Sequence, residues 1–553
     1  MSSAYRRLRE AFKTIPPKPD PLATRHLRNW MHEHADELAA AKPDAEFNGT
    51  MMQGFHWYSD GDGKHWNRLR QRAPDLAAVG ISAIWFPPAT KGMGGPYDVG
   101  YGIYDLFDLG EFVHRVDVNP QGEKRTKYGT RDEYIAAVEA CREHGIQVYA
   151  DVVFNHKMGG EYEEAFEAIP FDPANRTNAL QEARTIRSYT GFNFPGRGDR
   201  YSAMKWHWWH FGAVDYNSLD PGFRAVWRMR DTPFNNEVDL ENGNYDYLMG
   251  CDLNVDHPEV RDELIHWGKW MLETAPISGF RLDAIKHIEG DFFNDWLDRL
   301  EAASQRDLFC VGEYWTPRLD TLSWYIGNTG GRLHLFDAPL QGKFHQVSRA
   351  GGNFDMRTIL DGTLMKEFPL FAVTLVENHD TQPLQQLESV VDAWFKPLAY
   401  AIILLRAEGY PCIFEADYYG AEYVGKGRDG NDHEISLACH RWIIDRLLLA
   451  RRHFAHGPQY DSFDDFDIIG WTRQGTANHP HPMAVLLSDG PAGTKWMEVG
   501  KPNSNFEDIT GHVRGLIRSN EFGWAEFRCG GGSVSVWVEH HAELAGLIGA
   551  IPG

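Results

Sequence analysis

No Cys-x-x-Cys pair occurs in this chain, and its six cysteines (Cys141, Cys251, Cys310, Cys412, Cys439 and Cys529) are widely scattered. Most sit in apolar runs such as LFCVGEYW, so they read as buried thiols rather than a disulfide framework. Basic charge is in deficit as well. Lys and Arg number 55 against 78 Asp and Glu, a formal net charge of −23, which argues against nucleic acid as a partner. Long hydrophobic runs are missing too. Nothing approaches the ~20 apolar residues of a membrane helix, so no membrane partner is expected. The opening MSSAYRRLREAFKTIPPKPD carries basic residues with no apolar run behind them, unlike a secretory signal. The expected location is the cytoplasm, or outside the cell if a leader has been trimmed.

What is present is aromatic. Phe, Trp and Tyr make up 13% of the 553 residues, with 19 Trp and clusters such as KWHWWHF at 205–211. Aromatic faces suit the apolar faces of sugar rings, yet they also build ordinary cores, so no single Trp decides the matter. The length allows two or three packed units.

The chain is punctuated regularly. Residues 1–45 form a polar arm with a Pro-rich break (IPPKPDP), in which Leu8, Phe12, Leu27, Trp30 and Met31 recur at helix-like intervals. Eight short apolar runs follow: TMMQGFHWY, ISAIWFPP, IQVYADVVFNH, GFRLDAI, LFCVGEYW, LHLFDAP, AVTLVENHD and YPCIFEADYY. Helical stretches separate them, two of which stop at Gly80 and Gly145, as a helix-ending glycine would require. Eight nearly continuous apolar strands with intervening helices predict an α/β fold, a (β/α)8 TIM barrel over 46–156 and 277–451. The gap between the third and fourth strands is far too long for a loop, so 157–276 is expected to be an inserted domain. From 452 to 545, short alternating strands with Gly-rich turns predict a C-terminal antiparallel β-sandwich.

Polar groups gather where such barrels do chemistry, at the carboxyl ends of the strands. The third strand ends in Asp151, Asn155 and His156. The fourth carries Arg281 and Asp283, followed by Lys286 and His287. The fifth ends in Glu313 and the seventh in Glu377, Asn378, His379 and Asp380. Charged groups at so many strand ends are costly for a fold and point to a site.

The segments DVVFNH, GFRLDAIKH, VGEYW and VENHD resemble, in order and on the corresponding strands, the four motif regions of the α-amylase family, glycoside hydrolase family 13. The similarity runs from about residue 50 to 540 and is strongest to the liquefying bacterial and intracellular members. It implies retaining endo-hydrolysis of α-1,4-glucosidic bonds in starch, glycogen or maltodextrin. Asp283 would be the nucleophile, Glu313 the general acid/base and Asp380 the third carboxylate. The residues agree with those roles. Asp283 and Glu313 end neighbouring strands, as a close carboxylate pair needs. Arg281, two residues before Asp283, shares its strand face. The resemblance further implies substrate contacts from Trp57, Tyr101, His156, Arg281, Lys286, His287 and His379, with Gln53 nearby.

It also implies one structural Ca²⁺ held by Asn155, Asp246, Asp252 and the backbone carbonyl of His287, all hard oxygen donors. Two departures stand out. Gly212, Asn235 and Asn254 occupy positions where liquefying relatives hold further cations with aspartates, so one site is expected. The eighth strand shows Glu415 and Ala416 where relatives have Tyr and Gly. Two other readings compete: a maltooligosaccharide-forming enzyme or 4-α-glucanotransferase on the same scaffold, and a non-catalytic glucan-binding barrel. The sequence leaves oligomeric state open.

Overall fold

A computed structural model of the chain describes residues 22–35, 47–113 and 121–549. Eight parallel strands form a closed barrel: β1 (Met51–Gln53), β2 (Ala83–Phe86), β3 (Gln147–Val152), β4 (Gly279–Leu282), β5 (Phe309–Gly312), β6 (His334–Phe336), β7 (Ala372–Leu375) and β8 (Tyr410–Phe414), each beside its sequence neighbour, with β8 beside β1. These are the eight apolar runs of the sequence. Nearly every residue in them is buried, which is why they lack the alternation of a half-exposed strand. The helices end as the glycines predict. His65–Val79 stops before Gly80 (φ +105°) and Arg131–Glu143 before Gly145 (φ +76°). The second of these begins at a capping box between Thr130 and Glu133. All six cysteines are free. No described helix is long and apolar enough to cross a membrane.

By internal contacts the chain divides into two compact units. The first comprises 1–40, 59–73 and 85–335. Between β3 and β4 it carries a seven-stranded sheet whose strands run from His156–Lys157 to Cys251–Leu253, built around the long strand Tyr162–Asp172. The helix Ala23–Glu33 packs on the helix Leu319–Asn328 through buried Leu27 and Trp30, with Thr24 Oγ1 3.2 Å from Ser323 Oγ. Thus Leu27 and Trp30 of the expected arm do find a partner surface, while Leu8 and Phe12 lie outside the described residues.

The second unit comprises 41–58, 74–84 and 336–553. After the helix Arg441–His453 it forms a six-stranded antiparallel sheet and a two-stranded ribbon, Gly493–Glu498 with Trp524–Cys529. They share a core that includes Leu486, Met497, Phe506, Phe527 and Trp537.

Barrel closure leaves no room at Gly279, where an added Cβ would sit 1.9 Å from the Phe309 carbonyl oxygen. Gly279→Ala should therefore separate β4 from β5 and prevent accumulation of soluble, cooperatively melting protein. Wild-type-like yield and melting would contradict this packing.

Candidate active site

The first unit places three carboxylates around one cation. Arg281 is wholly buried on β4. Its Nη1 donates to Asp151 Oδ1 at 2.9 Å and to Asp283 Oδ1 at 2.7 Å, and its Nη2 donates to Glu313 Oε2 at 2.8 Å. The guanidinium lies 4.7 Å from the centre of the Trp85 ring and 5.7 Å from that of Tyr101. Burial alone would favour losing the proton, but Asp151, Glu313 and Asp283 hold the arginine pKa well above its ordinary value. Register explains the convergence, since Arg281 pairs with Asp151 on β3 and with Val311 on β5, two residues short of Glu313. Asp151 also accepts from Tyr101 Oη at 2.7 Å and Trp85 Nε1 at 2.9 Å. Ala284 follows Asp283 in the left-handed region (φ +49°), unusual for a residue with a side chain, and this turn aims its N–H at Glu313 Oε2, 3.1 Å away.

His156 and Tyr101 extend the cluster. His156 Nε2 donates to the Tyr101 carbonyl at 2.9 Å, which leaves Nδ1 as acceptor for Asn155 Nδ2 at 3.3 Å. Burial lowers the His156 pKa to about 4, so the ring is neutral. Lys286 donates to Glu241 Oε2 at 2.9 Å and lies over the Tyr245 ring. His287 is buried and donates from Nδ1 to the Tyr245 carbonyl at 2.5 Å.

The second unit presents the remaining expected residues. Gln53 Nε2 donates to His379 Nδ1 at 3.0 Å, which leaves the Nε2 proton facing Asp380 Oδ2 at 3.3 Å. The Trp57 ring is stacked parallel with His379, and its backbone N–H donates to Gln382 Oε1 at 3.0 Å. Asp380 is steadied from behind by its own N–H on Asn378 Oδ1, 3.0 Å away.

A small pocket of about 30 Å³ lies in the first unit. It is lined by Asn155, Asp246, Asp252 and His287, all expected as cation ligands, together with Gly212, Asn235, Asn254, Asp256 and Glu289. The donors fit a hard cation such as Ca²⁺. Asn155 spends its amide N–H on His156, and its buried Oδ1 has no hydrogen-bond partner. Burial raises the Asp246 pKa to about 7 and that of Asp252 well above the usual carboxylate range, a cost that a bound cation would remove. Gly212 also lies within this one pocket, and a Cβ there would come within 2.9 Å of Asp252 Oδ2. Across the pocket, Glu289 is already served by Asn235 Nδ2 at 3.0 Å and Arg261 Nη2 at 3.1 Å. Another group with metal-ligand spacing, His210, His257 and Glu259, is ill suited to an ion. His210 Nδ1 accepts from the His207 N–H at 2.9 Å, so Nε2 carries the proton and donates to Glu259.

Sequence reasoning missed Trp85, Asp256, Glu289 and Gln382; it set Arg281 both on the strand face of Asp283 and among the substrate contacts, and the first placement corresponds to the Nη1 bond to Asp283. Asp151 had a visible signal, a carboxylate near the end of an otherwise apolar strand. Glu289 and Asp256 had none, because only folding brings them to the pocket.

The catalytic-domain family described as "Alpha amylase, catalytic domain" matches residues 58–440. The chain is 48% identical to an α-amylase of Geobacillus stearothermophilus over 519 residues, covering 92% of this chain and 90% of the relative. It is 45% identical to a glucan 1,4-alpha-maltohexaosidase of Bacillus sp. (strain 707), covering 89% and 92%, and 42% identical to the cytoplasmic α-amylase of Escherichia coli (strain K12), covering 89% and 99%. A solved Anoxybacillus α-amylase shares the fold, with a TM-score of 0.59 at 16% identity over 90% of this chain and 98% of that one.

Removing Arg281 would leave Asp151 buried without its cation. Arg281→Met should cost about 3–5 kcal/mol of stability. Urea unfolding measures this, and a loss below about 1 kcal/mol would show that the cluster does not depend on the guanidinium.

Proposed function

Because the chain belongs to the α-amylase family of glycoside hydrolases, we propose that it cleaves internal α-1,4-glucosidic bonds of starch, glycogen or maltodextrins with retention of configuration. Glu313 gives its proton to the glycosidic oxygen as the bond from C1 breaks, and an Asp283 carboxylate oxygen bonds to C1. Glu313, now ionised, takes a proton from water; that water attacks C1 and releases Asp283. Asp380 holds hydroxyls of the sugar being cleaved. The observation that carries the reading is the shared guanidinium. One Arg281 bonds both Asp283 and Glu313, which favours the ~5–5.5 Å gap of a retaining pair over the wider inverting one.

Trp57 and Tyr101 offer aromatic faces to the glucan, with His379 and Lys286 as polar contacts. Arg281 spends Nη1 and Nη2 on Asp151, Asp283 and Glu313, and His156 spends Nε2 on the Tyr101 carbonyl, so both act on substrate through the groups they hold. His287 belongs to the cation pocket, where Asn155, Asp246 and Asp252 would bind one Ca²⁺ as a structural ion. The Arg261 and Asn235 contacts to Glu289 support a single ion, because one carboxylate on the second side of the pocket already has a cation and an amide as partners. A cytoplasmic location is supported by the 42% identical cytoplasmic enzyme. The maltohexaose-forming relative favours a second reading in which product length is controlled. Incubation with maltoheptaose separates hydrolysis from transfer, since transfer yields products longer than the substrate.

Glu313→Gln and Asp283→Asn should each lower turnover of soluble starch by at least roughly 10²–10⁴-fold, with unchanged melting, in a reducing-sugar assay. Near-wild-type activity in either variant rejects its role.

Metal analysis of dialysed protein should find one Ca²⁺ per chain. Chelation should lower the melting temperature by about 5–10 °C, the shift expected when an ion bound well below its working concentration is lost. Two tightly held ions in this pocket would contradict the single-site assignment, and no ion would remove it.

A further inference from the structure

A hairpin of the second unit reaches the turn that carries Asp380. Its strands, Ala421–Lys426 and Asp432–Leu437, pair antiparallel, with Tyr423 opposite Ile435 and Gly425 opposite His433. Ala421, Tyr423 and Gly425 are half-buried, while Glu422, Val424 and Lys426 between them face solvent. The half-buried face rests on Tyr58, whose ring is stacked on Tyr423 with centres 4.1 Å and planes 10° apart. Gly425 makes room for it, since a Cβ there would come within 2.8 Å of the Tyr58 ring. Gln385 Nε2 fixes the far end of Tyr58 by donating to its Oη at 3.0 Å.

Stacking alone would hold the hairpin down, yet the Tyr423 hydroxyl is also engaged on both sides. It accepts from Gln382 Nε2 at 3.0 Å and donates to the Pro383 carbonyl at 3.1 Å. Gln382 is wholly buried, and its Oε1 accepts the Trp57 N–H at 3.0 Å. Its own N–H donates to the Asn378 carbonyl at 3.2 Å, and Asn378 Oδ1 accepts the N–H groups of Asp380 at 3.0 Å and Thr381 at 2.9 Å. Both ends of the Gln382 amide are therefore used, in one orientation. Just beyond, Leu384 holds φ +73°, a left-handed conformation that a leucine keeps only when its surroundings impose it. The Tyr423 hydroxyl grips the carbonyl before it, and Glu388 Oε2 accepts its N–H at 3.0 Å.

We propose that Tyr423 is a positioning residue of the glucan cleft, acting through Gln382 to set the main chain at Trp57 and the turn that bears Asp380. The assignment rests on the glucan-hydrolase reading above. Both ends of this chain of bonds serve one seat. The Trp57 ring lies parallel to His379, and His379 Nε2 faces Asp380 Oδ2 at 3.3 Å. A sugar held by Asp380 therefore meets groups whose backbone is fixed by a single glutamine, and that glutamine is fixed by the hairpin. Tyr423 itself touches no substrate. Its effect is on alignment, where a misplacement of about 1 Å costs up to roughly 10²-fold in rate.

The test compares Tyr423→Phe, Gln382→Met and the double variant of the full-length protein on maltoheptaose, well below the melting temperature. Phenylalanine keeps the ring stacked on Tyr58 and removes only the hydroxyl. Tyr423→Phe should lower kcat about tenfold with KM within about twofold of the parent, the split expected when transition-state contacts are misaligned. Gln382→Met should do the same. The double variant should be no worse than the poorer single, because both substitutions break one chain of bonds. Unchanged kcat in Tyr423→Phe overturns the proposal, even if that variant melts earlier, since the hydroxyl would then serve only the fold. A double-variant loss equal to the product of the single losses overturns it as well. If Gln382→Met does not fold, Gly425→Ala takes its place, because its Cβ displaces Tyr58 without touching Gln382. It should again cost about tenfold in kcat, with no further loss on adding Tyr423→Phe, and multiplying losses are equally fatal. Failure of the catalytic reading would appear separately, as activity surviving Glu313→Gln.

Discussion

One buried guanidinium organises the catalytic half of the barrel. Arg281 has no contact with water, and a lone cation in that position would be strongly destabilising. It is tolerated because Asp151, Asp283 and Glu313 surround it and the Trp85 ring covers it. The compensation works in both directions, since two of those carboxylates are kept in position by the charge they neutralise. The ends of four consecutive strands, β2 through β5, are thereby tied to one side chain. Small shifts of any strand would be felt by both Asp283 and Glu313.

The cation pocket is connected to that cluster by a continuous chain of hydrogen bonds. Asn155 turns its oxygen to the pocket and its amide to His156; His156 donates to the Tyr101 carbonyl; the Tyr101 hydroxyl donates to Asp151, which holds Arg281. A neutral His156 is needed for this relay, because only then can one ring nitrogen accept while the other donates. Burial lowers the His156 pKa to about 4, which favours the neutral ring near pH 7. An ion in the pocket would thus bear on the orientation of Tyr101 without touching it.

Much of this was legible in the sequence. The eight strands could be read because buried parallel strands are unbroken apolar runs, and their helices because glycine closes them. The carboxylates could be read because charge at a strand end has no structural excuse. What could not be read is depth. Arg281 and Asp283 share a strand face, yet the first side chain is wholly buried and the second is 11% exposed, a distinction that Asp151 and Trp85 on other strands help to set. At Gly212 the sequence shows a missing carboxylate but not its surroundings, where a Cβ would come within 2.9 Å of Asp252 Oδ2.

The closure of the barrel bears on how the chain is made. Met51–Gln53 pairs with Cys412–Phe414, so one edge of the first strand waits for residues about 360 positions later. At ribosomal speeds of 5–20 residues per second, that wait is on the order of 20–70 s. Throughout it an apolar strand with unpaired backbone amides is outside the ribosome, a template for aggregation. Vectorial synthesis of this enzyme therefore leaves that edge uncovered until the eighth strand emerges, an interval that a circular permutant carrying the first strand after the eighth would be spared.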